Sequence, residues 1–267
     1  PLTAYFLSPM RLKLTLIQER RTESLPLNTN YYISAAIYRT LEHSSPEFSA
    51  LMHNYGYSNP EDRRKFKLFT FSNLDVPDRK IDGSRLISFS KKISFMLSSP
   101  MDDFLQHLVT GLFSDGYFFI EHARFQKGDI QTLPDPELSE TMEFSMLSPM
   151  VVSIMRPDRS KEFLKYNDER ISVVILQNLL GKYEAVHRKA FEGNIDSFSI
   201  RFSEKYLTQR QGKVEKLIKI REGRAEETNI KAILCPFTIT APIELIKIGY
   251  DCGFGEKNAM GFGMVKA

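Results

Sequence analysis

Arg11–Gln18, RLKLTLIQ, and the stretch it leads into, Asn28-Thr29-Asn30 followed by YYISAAIYRTLEH (residues 31–43), decide the fold. The first segment alternates polar and apolar residues, the period of a half-buried strand. The second opens on cap-forming residues, and Tyr31, Ser34, Ala35, Tyr38 and Leu41 then recur at three- and four-residue steps, which predicts a helix with Tyr31 and Tyr38 on one face. Ser45-Pro46-Glu47 predicts a second helix start, with a serine cap, proline at the first helical position and an acid in the first turn; it runs through FSALMH and stops near Gly56. Phe66–Ser72, Leu86–Phe95 and Gly116–Phe125 read as strands, with an amphipathic helix over Met101–Phe113 between the last two. The order is strand, helix, strand, strand, helix, strand.

The second half repeats it. Met142–Leu147 and Met150–Ile154 are strand-like around Pro149, and Ser160–Val186 is expected to hold a long helix. Ser197–Phe202, Val214–Ile220, Ile230–Thr240 and Ile243–Gly249 are expected strands. Two successive units of this order predict an α+β protein of two tandem ferredoxin-like (RRM-like) domains, each with an antiparallel sheet. The expected domains span residues 10–127 and 140–267, joined near the polar, proline-rich stretch Gln126–Glu140 (QKGDIQTLPDPELSE). Met10 reads as a native start, with residues 1–9 as an extension.

With 267 residues, 42% of them hydrophobic, the chain has the apolar material for two packed cores, which excludes a disordered segment. No run is long and apolar enough for a membrane helix, so no membrane is expected as a partner. Two cysteines, Cys235 and Cys252, do not make a disulfide framework and fit a reducing cytoplasm. They are too few for a cysteine-only zinc site, and no carboxylate or histidine cluster has metal-ligand spacing, so neither metal nor cofactor is expected. The net charge of +3 permits nucleic-acid binding without demanding it. Arg210, Lys213, Lys216, Lys219, Arg221, Arg224 and Lys231 concentrate charge in one stretch, which fits a solvated hairpin face as well as a phosphate-binding surface.

Gly253, Gly255, Gly261 and Gly263 lie within GYDCGFGEKNAMGFGMVKA, residues 249–267. Glycines recur where backbone takes positive φ or closely approaches a ligand. A dinucleotide fingerprint is excluded, because no helix can follow in the four residues beyond Gly263. A P-loop is excluded because Lys257 is followed by Asn258, not by Ser or Thr. From the residues alone, a β-bulge or tight hairpin in a terminal strand pair accounts best for the cluster.

The string GFGEKNAMGFGMV, with two Gly-aromatic-Gly steps and a basic residue between them, resembles the C-terminal glycine-rich signature of the CRISPR-associated RAMP proteins. It is most similar to the endoribonuclease of that superfamily that matures CRISPR precursor RNA within its repeats. The resemblance extends to the strand after Met10, the N-x-Y-Y helix and the KLFTFS strand. It implies the same tandem fold and an RNA-cleaving activity without a metal. The ribose 2′-hydroxyl would attack the adjacent phosphorus, leaving a 2′,3′-cyclic phosphate and a 5′-hydroxyl.

Carried over position by position, the family's tyrosine, histidine and lysine become Tyr38, His53 and Lys67. His53 would transfer a proton as base or acid, Tyr38 would orient or share the transfer, and Lys67 would stabilise the phosphorane. Read singly, each has another explanation: Tyr38 as a core aromatic, His53 as a cap at a helix C-terminus, Lys67 as a solvated strand residue. The stretch between His53 and Lys67 is long for the family, which leaves Arg63, Arg64 and Lys65 as replacements for Lys67, and His43 is a second candidate histidine. His107, His122 and His187 are dispersed. The glycine-rich segment, Gly253, Gly255, Lys257, Asn258, Gly261 and Gly263, would hold the RNA backbone beside a groove between the domains. The implied partners are CRISPR repeat RNA and a CRISPR effector complex, with the protein a monomer or homodimer. The alternative within the superfamily is a non-catalytic RAMP protein that binds repeat RNA as a scaffold. An unrelated ferredoxin-like protein with purely structural glycines is the other alternative.

Overall fold

A computed structural model describes residues 11–57, 65–114, 116–220 and 227–267; the expected extension with Met10, and Arg63, Arg64, Arg221 and Arg224, lie outside the described residues. In the first half, β1 (Arg11–Gln18), β2 (Glu23–Pro26), α1 (Asn30–Ser44), α2 (Pro46–Asn54) and β3 (Thr70–Phe71) come first. They are followed by β4 (Arg79–Asp82), β5 (Arg85–Ser88), β6 (Lys92–Ser98), α3 (Asp102–Ser114), β7 (Tyr117–Ile120) and β8 (Ala123–Leu133). The main sheet has the order β3-β6-β1-β8-β7, antiparallel throughout. Setting aside β7, these strands come first, second, third and last in the βαββαβ unit and stand in space as second-third-first-last, the ferredoxin-like arrangement.

Leu12, Leu14 and Leu16 bury the alternate face of β1 against Ile33, Ile37 and Leu41 of α1 and Phe104, Leu108 and Leu112 of α3. Each such side chain contributes about 1.5–3 kcal/mol on leaving water. Gly111 allows α3 to touch α1, since a Cβ there would stand 1.9 Å from the Thr40 carbonyl oxygen.

The second half contains β9 (Thr141–Met146), β10 (Ser153–Met155), β11 (Lys161–Phe163), α4 (Ile171–His187), β12 (Ser199–Phe202) and α5 (Glu204–Gln209). It continues with β13 (Glu215–Ile220), β14 (Thr228–Ile233), β15 (Phe237–Thr240), α6 (Ile243–Cys252), a 3-10 turn at Asn258–Met260 and β16 (Val265–Lys266). Its sheet runs β12-β15-β9-β16, again second-third-first-last. Two α+β domains of the expected ferredoxin-like kind therefore follow one another, each with its own core.

Several expected elements are corrected. Leu86–Phe95 is two strands: β5 joins β2 and β4 in a small sheet, while β6 joins the main one. The break falls where the Ser90 hydroxyl accepts from Asp78 N–H at 2.8 Å, a side-chain bond that competes with the ladder. Phe66–Ser72 is strand only at its end, because Leu68 turns left-handed (φ 51°) and inserts into the core of the second domain. Gly116–Phe125 is a hairpin whose return strand runs on to Leu133, so Gln126–Leu133 pairs with β1 and only residues 134–140 join the sheets. Ser160–Val186 begins as strand β11, and its helix starts at Ile171. Ile230–Thr240 divides at Pro236 into β14 and β15.

Ile243–Gly249 is not a strand but most of α6. Four of the six residues of IELIKI are apolar, which suggests a strand, yet Leu245, Ile246, Gly249 and Cys252 are buried at helical spacing after Pro242. The N-cap of α1 falls at Thr29, within the expected stretch, but its side chain makes no capping bond; Asn30 opens the helix and its Nδ2 donates to the Gly261 carbonyl at 2.9 Å. None of the helices among the described residues is long and apolar enough to cross a membrane.

Candidate nucleic-acid cleavage site

The α1–α2 elbow builds the site. Ser45 caps α2, its hydroxyl accepting from Phe48 N–H at 3.1 Å, and the Ser49 hydroxyl donates to the Tyr38 carbonyl at 3.1 Å. These bonds set α2 against α1, so that the rings of Tyr38 and His53 meet edge to face with centroids 5.6 Å apart. Tyr38 also leans on Phe69 at 5.9 Å, and burial pushes its phenol up to about 12. His53 is exposed in the last turn of α2, with Nδ1 3.2 Å from Asn54 Oδ1. Lys67 approaches from the segment before β3 and donates to the carbonyls of Met52 and His53, the latter at 2.7 Å. Burial, and then Lys65, lower the pKa of its ammonium.

All three predicted residues line one cavity of about 1160 Å³, together with His43 and Lys257. Both candidate histidines therefore face the same space. A second cavity of about 740 Å³ lies between the domains, and Lys67, Lys257 and Ala259 line both. Lys65, Lys161 and Asn178 also line it, so the joined groove carries several cations, of which Lys161 is paired with the Glu256 carboxylate at 3.0 Å. His107 is occupied elsewhere, stacked on Phe48 at 4.3 Å and 3.0 Å from the Ser44 hydroxyl. His187 packs beside Tyr183, and among the described residues no three His, Cys, Asp or Glu side chains converge.

The glycine-rich segment forms the seam between the domains. Gly253, Gly255, Gly261 and Gly263 are all buried and all at positive φ. At Gly263 the reason is direct: a Cβ would lie 1.9 Å from the Phe254 carbonyl oxygen. The N–H groups of Gly261 and Gly263 are spent on Asn258 and Pro149 carbonyls. Asn258 Nδ2 also turns inward, to Phe262 O at 2.9 Å and Phe254 O at 3.3 Å. Ser34 and Thr70 of the first domain donate to the carbonyls of Ala259 (2.8 Å) and Phe262 (3.0 Å). The segment thus presents Lys257, itself left-handed at φ 58°, to both cavities.

A residue that sequence reasoning missed holds this seam. Lys182, 2% exposed, donates to the carbonyls of Gly253 at 2.6 Å and Gly255 at 2.8 Å. Burial lowers its pKa to about 8. A signal was available: Ile171, Ile175, Leu179 and Lys182 fall on one buried helical stripe. Of the basic stretch, Lys213 precedes β13, Lys216 and Lys219 lie on it, and Lys231 lies on β14. Ile218, Ile220, Ile230 and Ala232 pack against Val151 and Phe262; Lys219 and Lys231 point to the opposite face, while Lys216 continues the apolar face at the start of the strand.

The two halves match two family models, CRISPR-associated protein Cas6, N-terminal, over residues 24–131, and CRISPR associated protein Cas6, C-terminal, over residues 133–267. The chain is 30% identical to a CRISPR-associated endoribonuclease Cas6 of Methanocaldococcus jannaschii, over 96% of this chain and 92% of that protein. It is 28% identical to the CRISPR-associated endoribonuclease Cas6 of Pyrococcus furiosus, over 96% and 89%. Among solved structures, a Cas6-related protein from Pyrococcus furiosus superposes with a TM-score of 0.78 at 25% identity, covering 96% of this chain and 97% of that one. On these matches, which span both domains, the chain belongs to the Cas6 family of CRISPR-associated RAMP proteins.

Proposed function

We propose that this protein binds CRISPR repeat RNA and cuts precursor CRISPR RNA by intramolecular attack of a ribose 2′-hydroxyl, using side chains alone. The observation that carries the reading is the meeting of Tyr38, His53 and Lys67, from three separate elements, around one cavity. In the step, the 2′-oxygen forms a bond to phosphorus and loses its proton, while the bond from phosphorus to the 5′-oxygen breaks and that oxygen gains a proton. The products are a 2′,3′-cyclic phosphate and a 5′-hydroxyl. His53 exchanges one of these protons. Tyr38, whose phenol stays protonated far above neutrality, donates a hydrogen bond to a non-bridging or leaving oxygen. Lys67 stabilises the charge gathering on the phosphorane. Lys257, Lys65 and Lys161 line the groove along which the RNA backbone runs, and the buried glycines shape the ledge that carries Lys257. The protein works inside a CRISPR system as a monomer or homodimer, with an effector complex as a partner.

The scaffold alternative draws on one observation. Lys67 already spends two donors on helix carbonyls, so its ammonium is held in a capping role. Incubating the pure protein with its own repeat RNA in EDTA, followed by analysis of the ends, decides between the two. Cleavage to a cyclic phosphate that is lost in His53→Ala with binding intact supports the nuclease; tight binding without cleavage supports the scaffold.

A further inference from the structure

We propose that the cleft between α1 and the β7–β8 turn is a binding site for a single nucleobase of the RNA, splayed out beside the scissile phosphate. The inference rests on the reading of the chain as a repeat-RNA nuclease and adds a contact that fixes where the RNA is cut.

The cleft encloses about 330 Å³ and is lined by Tyr31, Tyr32, Arg39, Phe119, Glu121 and His122, with Ala35 and Ala36 as its floor. It is continuous with the cavity holding Tyr38 and His53, because Tyr31, Ala35 and Arg39 line both. These three residues follow at four-residue steps and share one face of α1. Ala35 is exposed between the two larger side chains, and its single methyl leaves a gap open to both cavities. Tyr38 lies three residues on from Ala35, one helical turn or about 5 Å along the axis. A base seated here therefore belongs to a nucleotide next to the reacting phosphate.

The lining matches a base and not a phosphate. The Arg39 guanidinium stands 5.0 Å over the Phe119 ring centroid, and a guanidinium held on an aromatic ring offers its outer plane for stacking. Tyr31 and Tyr32 supply two further rings, edge to face at 5.4 Å. The carboxylate of Glu121, held by Arg85 at 2.8 Å, is an acceptor for an exocyclic amine or a ring N–H and would repel a phosphate. Glu121 opens the two-residue turn between β7 and β8, where its positive φ of 57° is what a tight hairpin requires, and the turn holds its side chain at the mouth of the cleft. The greater positive charge lies in the other direction, where Lys65 and Lys257 line the interdomain cavity beside the Lys161–Glu256 ion pair. Single-stranded RNA is read in this manner, by unstacked bases laid on aromatic rings and guanidinium planes.

The test uses repeat RNA with a 2′-deoxy nucleotide at the cut, so that binding is measured without cleavage, and one abasic nucleotide moved along the repeat. The expected result is a single position flanking the cut where base removal weakens binding about tenfold or more, the loss expected of one stacked base. In Arg39→Ala and in Phe119→Leu that penalty disappears, while penalties elsewhere in the repeat persist. Penalties that simply add to those of the variants, or no sensitive position beside the cut, overturn the cleft as a base site. If unmodified RNA is nonetheless cleaved, that result leaves the nuclease reading intact. Loss of the penalty in the variants together with intact, uncut RNA supports the cleft and sinks the nuclease reading. Absence of any repeat-RNA binding sinks both.

Discussion

Lys67 Nζ donates to the backbone carbonyl of His53 at 2.7 Å, so one candidate catalytic side chain fixes the end of the helix that carries the other. The last carbonyls of a helix have no partner within it, and a cation there contributes roughly 0.3–1 kcal/mol. Lys67→Ala therefore removes a charge from the groove and an anchor from α2 together. We expect cleavage to fall about 10²- to 10³-fold and amide exchange in the last turn of α2 to quicken. Lys67→Arg, which keeps charge and donors, recovers part of both. Full cleavage in Lys67→Ala would remove the residue from the reaction and leave it a cap.

His53 and His43 line the same cavity, and the His53 ring meets that of Tyr38 edge to face. His53→Ala is expected to reduce the cleavage rate about 10²- to 10⁴-fold with little change in RNA affinity, and His43→Ala to reduce it less than tenfold. Single-turnover rates and filter binding on both variants check this. The reverse ranking would move the proton transfer to the end of α1.

In the proposed reaction Tyr38 acts as a phenol. Burial raises its folded-state pKa to about 12, above the ordinary value of 10.0, so between pH 5 and 10 the hydroxyl stays protonated. Tyr38→Phe is expected to lower the rate about tenfold or more across that whole range without altering the shape of the pH profile. An alkaline limb below pH 10 that vanishes in Tyr38→Phe would show that Tyr38 ionises and acts as a base.

The legible parts of this chain are those where local pattern and tertiary burial agree. RLKLTLIQ is a strand over Arg11–Gln18 as its alternation predicts, and Ser45-Pro46-Glu47 starts a helix as its cap chemistry predicts. Where the domains meet, local pattern loses its authority. Leu68 leaves the expected strand because its side chain belongs to the other domain's core, and Asn30, the first residue of α1, turns its amide to the Gly261 carbonyl of the seam. The glycine-rich end was legible as a place needing positive φ, but not as a buried seam, since burial there depends on Thr70, Ser34 and Lys182 from distant parts of the sequence. Tyr38, His53 and Lys67 became candidates through resemblance, and their shared cavity depends on the α1–α2 elbow, which no spacing rule encodes.

Lys182 gives the seam a pH dependence of definite sign. Its ammonium is buried, and its folded-state pKa of about 8 lies below the ordinary 10.5, so the folded protein surrenders this proton more readily than the unfolded chain. Between those values the unfolded state binds more protons, and the stability attributable to Lys182 rises with pH; it is lost as pH falls through about 8. The difference amounts to something on the order of 3 kcal/mol. A neutral amine still has two N–H donors, enough for the carbonyls of Gly253 and Gly255, so deprotonation relieves the buried charge without orphaning either oxygen. Lys182→Met leaves both oxygens unpartnered, at about 1–3 kcal/mol each, but removes the buried charge. Chemical denaturation of wild type and variant from pH 7 to 10.5 should therefore show a gap that widens with pH in favour of wild type. A gap that stays constant or narrows would mean that Lys182 keeps its proton throughout and that its bonds to the glycine carbonyls offset the cost of burial.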